Sequence, residues 1–178
     1  MRWEKLLNGN CVNPIGQTKI ATGRDIMTHE QGILAETART AYGAIENVNS
    51  GLIKWKEIDG QPGNYIKVLT LDVANNRVDF LFKQDPHAEF AKHEHKCTAV
   101  ALTLDGLWGY REGEELHFEG TFSYEPPGSI HTPYATEKGM IVYASFQGTS
   151  DLMLDILDED DNVIDHLRLD FFAQYYEG

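Results

Sequence analysis

Three histidines in two short segments have the spacing to bind one metal ion. His93 and His95 are separated by one residue, so on an extended strand their imidazoles share a face while Glu94 points away. His131 lies three residues beyond Gly128, where a Pro-Pro-Gly turn can direct the chain back toward the first pair. Neutral imidazoles suit iron, zinc, nickel or copper better than magnesium or calcium. The pattern predicts a metal site formed by His93, His95 and His131.

The turn segment resembles the second motif of the cupin superfamily. That motif consists of G, five residues, P-x-G, two residues and H, and it is matched without a gap by Gly120, Pro126, Gly128 and His131. The resemblance covers about residues 55–178. It implies an all-β fold, the cupin double-stranded β-helix or jelly-roll barrel, whose interior can hold a small ligand.

The first cupin motif consists of G, five residues, H-x-H, three or four residues, E, six residues and G. Here His93, His95 and Gly106 match, but the opening Gly is absent. Ala99 and Val100 occupy the positions expected for the Glu. A site of three histidines without that carboxylate is similar to the 2,4'-dihydroxyacetophenone dioxygenase and acetylacetone-cleaving dioxygenase group, whose iron(II) is held by three His.

This resemblance implies an iron(II) cofactor and the oxidative cleavage of a C–C bond next to a carbonyl. The expected partners are dioxygen and a small ketone, with 2,4'-dihydroxyacetophenone converted to 4-hydroxybenzoate and formate. Two other classes of function remain open, because zinc or nickel suit the same donors and one fold hosts many chemistries. One is a non-oxidative metal enzyme, such as an isomerase or hydrolase, and the other is a metal- or ligand-binding cupin without turnover.

Glu125 immediately precedes the turn and is the carboxylate of the second motif nearest to His131. It could accept a hydrogen bond from a ligand's ring N–H, act as a base toward the substrate, or be an exposed acid. The resemblance favours a position near the metal, and we therefore predict a catalytic role for Glu125.

Four residues are predicted to bind the substrate: Phe82, Trp108, Tyr110 and Arg111. Trp108 and Tyr110 share a strand face and can line a pocket of aromatic size, although simple packing of the sheet explains the same pattern. Phe82 could likewise line a pocket or simply pack in the core, because one face of its strand must meet the core. Arg111 could neutralise Glu125 or hold an anionic group, or it could be an ordinary surface residue.

The elements that position these residues are predicted to be short strands. From Trp55 onward, apolar or alternating runs are separated by Gly, Pro, Asn and Asp, a pattern typical of a sandwich or barrel. The predicted strands cover residues 65–71, 78–82, 98–104, 107–110, 116–118, 121–124, 140–146 and 152–157. Residues 168–177 are predicted as a short helix. Residues 1–54 are predicted as an extension, with a helix over 33–46, that packs on the core or on a neighbouring subunit.

Composition is consistent with one cupin domain after this extension. The chain has 178 residues, 42% of them hydrophobic, which is enough for one substantial core. A formal net charge of -13 argues against nucleic acid and anionic membranes as partners. No run approaches the roughly 18 apolar residues of a membrane span, and the first ten residues lack a secretory signal. We expect a cytoplasmic protein, and a homodimer or homotetramer that covers the sheet edges.

Overall fold

Strands make up nearly all of the regular structure in this computed structural model. The structure describes residues 37–42 and 45–177, and before them three two-residue strands, Glu4–Lys5 (β1), Cys11–Val12 (β2) and Thr18–Lys19 (β3). The chain divides into two compact units, residues 1–36 and residues 37–178. In the first unit, β2 pairs antiparallel with both β1 and β3.

The second unit contains the predicted metal ligands. Its described strands are Arg39–Tyr42 (β4), Ile45–Val48 (β5), Lys56–Glu57 (β6), Asn64–Asp72 (β7), Arg77–Gln84 (β8), His93–His95 (β9), Thr98–Tyr110 (β10), Leu116–Phe118 (β11), Phe122–Glu125 (β12), Ile130–His131 (β13), Pro133–Gln147 (β14), Leu152–Leu157 (β15) and Val163–Arg168 (β16). They are followed by one short helix, Leu169–Ala173 (α1), and interrupted by 3₁₀ turns at Ser50–Leu52 and Val73–Asn75.

Two antiparallel sheets build the body of this unit. The larger sheet has the strand order β11-β10-β14-β8-β7-β6, and β12 also pairs with β10. The smaller sheet has the order β13-β9-β15-β16. Two of the three histidines lie on β9, and the third lies on the adjacent strand β13. The all-β jelly-roll prediction is confirmed.

The core lies between the two sheets and under the C-terminal helix. Alternate residues of the larger sheet, such as Ile66, Phe80 and Phe146, meet Leu154 of the smaller sheet in one buried cluster. Phe172 of α1 packs on this cluster, with its ring centre 5.2 Å from that of Phe80. The predicted C-terminal helix is therefore present, shortened to Leu169–Ala173, and its aromatic face covers one end of the core.

The predicted helix over residues 33–46 is wrong where the structure describes it. Residues 39–42 and 45–48 form the antiparallel strands β4 and β5, and residues 33–36 and 43–44 lie outside the described residues. Arg39 explains part of this outcome, because its guanidinium donates hydrogen bonds to the carbonyls of Val68 (3.1 Å) and Leu69 (2.6 Å) on β7. Such long-range contacts override local helix propensity.

Within the part of the chain that the structure describes, no helix has the length and apolar character needed to cross a bilayer. The helix α1 has only five residues. The structure describes one chain, so the predicted homodimer or homotetramer stays a prediction. The same holds for the predicted domain boundary after residue 54 and for the role of the N-terminal extension.

Candidate metal centre

The strand pairing of β9 with β13 brings the three histidines together. In this antiparallel pair His131 lies directly opposite His93, and Ile130 lies opposite Glu94. Side chains of directly opposed residues share a face, so His131 joins His93 and His95 on the buried side. All three histidines are buried, whereas Glu94 is half-buried on the other face. The predicted separation of His93 and His95 from Glu94 is therefore observed.

A tight turn sets the register of this pair. Ser129 donates its backbone N–H to the carbonyl of Pro126 at 3.1 Å, which closes a four-residue turn with Pro127 and Gly128 at its centre. Gly128 has a φ of +90°, and a type II turn requires a positive φ at this position. The N–H of Gly128 then donates to the carbonyl of His95 at 2.7 Å. The turn therefore ties the second cupin motif to the first.

The three imidazoles present nitrogen atoms that converge on one point. One ring nitrogen from each of His93, His95 and His131 lies within 4.8 Å of the others. His95 Nε2 and His131 Nε2 are 3.2 Å apart. Two neutral imidazoles can form a hydrogen bond across this gap only if one of these nitrogens carries the proton, whereas a cation would satisfy both lone pairs. The donor set fits a divalent transition metal.

The electrostatic environment keeps the imidazoles of His93 and His131 neutral. Burial disfavours the charged form and is the main cause that lowers the pKa of His93 to about 3 and that of His131 to about 4. Repulsion from the other two histidines also lowers the pKa of His93, whereas Glu125 raises that of His131. Neutral imidazole is the form that binds a metal.

Hydrogen bonds outside the cluster orient one of the rings. His93 Nδ1 lies 2.8 Å from the carbonyl oxygen of Ala91, so Nδ1 carries the proton and donates it. The lone pair of His93 is therefore on Nε2, on the side of the other two rings. His131 stacks on Tyr110, with ring centres 4.3 Å apart and planes 22° from parallel. His95 Nδ1 is buried and has no hydrogen-bond partner among the described residues.

Glu125 lies against the histidine cluster and is not an exposed acid. Its Oε2 atom is 3.1 Å from His95 Nε2 and 3.9 Å from His131 Nε2. The Tyr110 hydroxyl donates to Oε1. Burial raises the pKa of Glu125, but hydrogen bonds and charges from His95, His131 and Tyr110 outweigh it and lower the pKa to about 2. Burial and the adjacent carboxylate raise the pKa of Tyr110, so its hydroxyl keeps the proton.

The histidines and Glu125 face a cavity of about 650 Å³, including its open mouth. Phe82, Trp108 and Tyr110 all line it, so the three aromatic residues predicted from the sequence point inward. The remaining lining residues are Ile58, Ile66, Phe80, Phe90, Ala101, Pro133, Met140, Val142, Ala144, Phe146, Leu154, Leu167, Phe171 and Phe172. The cavity is therefore apolar except at the histidine cluster.

Several of these lining residues were not predicted. Four of them occupy every second position of β14: Met140, Val142, Ala144 and Phe146. Because every second side chain of a strand points to the same face, one inward-facing residue would have been enough to predict the other three. Phe172 reaches the cavity from α1, across the core, and no local pattern signals that placement.

The structure corrects the predicted role of Arg111. Its side chain does not line the cavity: it is more than half exposed, donates from Nε to Glu89 Oε2 at 2.6 Å and lies over the ring of Tyr134. Arg111 lies immediately after β10, which ends at the inward-facing Tyr110. Arg111 therefore neutralises Glu89 and not Glu125.

One buried hydrogen bond fixes the indole that forms part of the cavity wall. Trp108 donates from Nε1 to Thr103 Oγ1 at 2.9 Å, and both residues are buried. We expect Thr103→Val to lower the free energy of unfolding by about 1–3 kcal/mol, because the indole N–H loses its partner while the side-chain shape is kept. Urea unfolding followed by tryptophan fluorescence measures this loss. The half-buried Thr98 on the same strand serves as control: a Thr98→Val loss as large as that of Thr103→Val would contradict the assignment.

The jelly-roll fold and the buried three-histidine cluster define this protein as a cupin. The chain belongs to the ChrR cupin-like domain family, whose model matches residues 46–151. No curated protein matches the chain in sequence.

Solved structures show the same fold at low sequence identity. An RmlC-like cupin from Ralstonia eutropha is 23% identical, with a TM-score of 0.64 over 72% of this chain and 82% of that one. A second Ralstonia eutropha protein of unknown function with a cupin-like fold is 20% identical, with a TM-score of 0.66 over 84% and 85% of the two chains. An acetylacetone dioxygenase from Acinetobacter johnsonii is 14% identical, with a TM-score of 0.62 over 81% and 97%.

Proposed function

We propose that this cupin is a non-haem iron(II)-dependent dioxygenase that cleaves a C–C bond next to a carbonyl in a small hydroxyketone or diketone. The observation that carries the proposal is the set of three buried imidazoles that converge beside an aromatic-lined cavity. Ala99 and Val100 leave the first motif without its carboxylate, as in three-histidine dioxygenases. For 2,4'-dihydroxyacetophenone the reaction balances as one ketone plus one dioxygen giving 4-hydroxybenzoate plus formate.

His93, His95 and His131 would hold the metal. When bound, iron(II) supplies Lewis acidity toward the ketone oxygens and the electrons that activate dioxygen. Glu125 is the only carboxylate among the described residues that line the cavity, so it is the group available to take a proton from the substrate. The Tyr110 hydroxyl holds this carboxylate in place through Oε1.

The cavity favours an uncharged substrate with an aromatic ring. Phe82, Trp108 and Tyr110 offer ring faces and edges, and aromatic pairs prefer such offset and edge-to-face contacts. Among the described residues, no Lys or Arg lines the cavity. A carboxylate at the end of the substrate remote from the metal would lie in an apolar space with no Lys or Arg side chain to pair with it, which is costly. Ketones whose remote end is uncharged therefore fit better than ketones that carry a carboxylate there.

An oxygen electrode tests this function on iron(II)-loaded protein prepared without oxygen. We expect one dioxygen consumed for each 2,4'-dihydroxyacetophenone, with equal amounts of 4-hydroxybenzoate and formate found by chromatography. Zinc-loaded protein is the matched control, because zinc keeps the ligands but has no redox chemistry. A ketone with a carboxylate in place of the ring hydroxyl should react with a kcat/KM lower by about 100-fold or more.

A different outcome would favour the other classes of function. If the iron-loaded protein consumes no oxygen with hydroxyketones or diketones and is isolated with tightly bound zinc or nickel, the dioxygenase proposal is wrong. A non-oxidative metal enzyme or a binding cupin would then explain the site, because its donor set also suits those metals.

A further inference from the structure

The carboxylate missing from the first cupin motif has a structural substitute on the neighbouring strand. The motif expects its Glu at position 99 or 100, where this chain has Ala99 and Val100 on β10. In the antiparallel pair of β10 and β12, Ala99 lies directly opposite Glu125. Directly opposed residues of a sheet share a face, and Ala99 is fully buried on the core side. Glu125 therefore enters the interior at the place where a glutamate at position 99 would enter.

The distances within the cluster are those of ligands around one ion. Glu125 Oε2 is 3.1 Å from His95 Nε2, which is 3.2 Å from His131 Nε2, and the remaining separation is 3.9 Å. Donor atoms about 2.0–2.2 Å from one metal ion lie about 3–3.6 Å apart at tetrahedral or right angles, and farther apart at wider ones. We propose that Glu125 is the fourth protein ligand of the metal, supplied by β12 in place of the glutamate that the first motif lacks.

The surrounding residues leave one oxygen of this carboxylate available for the metal. Tyr110 donates its hydroxyl to Oε1, and the same ring stacks on His131, so Tyr110 links the carboxylate to a metal ligand. Oε2 faces His95 and His131. Hydrogen bonds of this kind orient metal ligands.

Two other carboxylates near the motifs, Glu94 and Glu112, are engaged elsewhere. Glu94 points away from the cluster and pairs with Lys96 at 3.1 Å. Glu112 accepts hydrogen bonds from the backbone N–H (2.9 Å) and hydroxyl (2.7 Å) of Thr132. Neither of them lines the cavity, so Glu125 is the carboxylate that can complete the site.

A ligand role is compatible with proton transfer by the same residue. A bound carboxylate partly neutralises the divalent ion in an apolar cavity. Glu125 would accept the proton that a ketone substrate loses, and the total charge of the site would stay the same because the proton would only move from the substrate to the carboxylate. This inference rests on the metal centre of the proposed function but not on its oxygen chemistry.

Cobalt(II) binding tests the inference without any turnover. Cobalt(II) titrations would follow the visible absorption of the ion and its affinity in competition with a chelator, for wild type, Glu125→Gln and Tyr110→Phe. We expect Glu125→Gln to change the absorption spectrum and to weaken binding by about 100-fold or more, since loss of a supporting hydrogen bond typically costs 10–100-fold. Tyr110→Phe should keep the wild-type spectrum and weaken binding by no more than about 10–100-fold, the typical cost of a lost supporting hydrogen bond.

A double variant that moves the carboxylate to the opposite strand gives a more specific test of the ligand role. In the Ala99→Glu/Glu125→Ala double variant the carboxylate moves to the directly opposed position, and we expect it to recover much of the cobalt affinity that Glu125→Ala alone loses. The proposal is overturned if Glu125→Gln keeps the wild-type spectrum and weakens binding by no more than about 100-fold, because Glu125 would then be only a hydrogen-bond acceptor.

A test on the wild-type protein does not depend on whether the variants fold. A crystal structure of its cobalt-loaded form should place Glu125 Oε2 within about 2.2 Å of the ion. A cobalt ion held by the three histidines alone would overturn the ligand role and leave the proposed function intact. Wild-type protein that binds neither cobalt nor iron would overturn both.

Discussion

The His131→Ala protein is expected to fold and to lose its metal. His131 supplies one of three converging imidazoles, and structural zinc sites with four ligands contribute about 10–16 kcal/mol, or roughly 3 kcal/mol for each ligand. Removing one ligand should therefore weaken metal binding by about 100-fold or more. Metal analysis after dialysis measures the loss, and circular dichroism checks the fold. The fold should persist because β13, which carries His131, contributes only two residues to its sheet.

His87→Asn provides the matched control for this experiment. His87 is exposed and lies outside the cluster, and its φ of +63° is one that Asn tolerates well. Its metal content should equal that of the wild type. Stoichiometric metal retained by His131→Ala would contradict the three-histidine site, and a parallel loss in His87→Asn would point to a general effect of the substitutions.

The Gly106→Ala substitution is expected to have the largest effect on stability. Gly106 has a φ of +91°, and an added Cβ would lie 2.2 Å from the carbonyl oxygen of Gly139 and 2.7 Å from Cα of Met140. Both atoms belong to the backbone of the paired strand β14, so they cannot move without breaking the pairing that carries Trp108. We expect a loss of more than about 4 kcal/mol in the free energy of unfolding, or no folded protein.

Gly120→Ala separates the steric contribution from the conformational one. Gly120 has a similar φ of +87°, but nothing lies within 4 Å of an added Cβ. Its substitution should cost only about 1–2 kcal/mol, the penalty of a left-handed conformation for a residue with a Cβ. Urea unfolding at pH 7 compares the two. Equal losses would show that the contact with Gly139 contributes little and that backbone conformation dominates at both positions.

Local patterns predicted many of the strands of the cupin domain, but they missed β6 and β16 and divided β10 into two strands. The alternation in residues such as 98–104 and 140–146 identified strands, because side chains on a strand alternate regardless of what the strand packs against. Short-range geometry also predicted the Pro-Pro-Gly turn and the shared face of His93 and His95. The antiparallel pair of β4 and β5 was missed, since it depends on contacts of Arg39 with carbonyls some thirty residues away.

For the aromatic and charged residues near the site, too, local patterns and long-range packing determine different features. Trp108 and Tyr110 share a strand face, but only packing of the larger sheet against the smaller one determines that this face lines the cavity. Arg111 was predicted to bind the substrate because its charge could neutralise Glu125 or hold an anionic group. It follows the last residue of β10, and its side chain pairs with Glu89 instead.

The sequence by itself determined that this chain carries two imidazoles on one strand face, a third after a type II turn, and no carboxylate at the expected position of the first cupin motif. Only the tertiary structure decided that Glu125 lies opposite Ala99 and within 3.1 Å of His95. The physical reason is the strand register. It joins residues far apart in the chain and is set by the packing of complete sheets, so no local pattern specifies which carboxylate reaches the histidines.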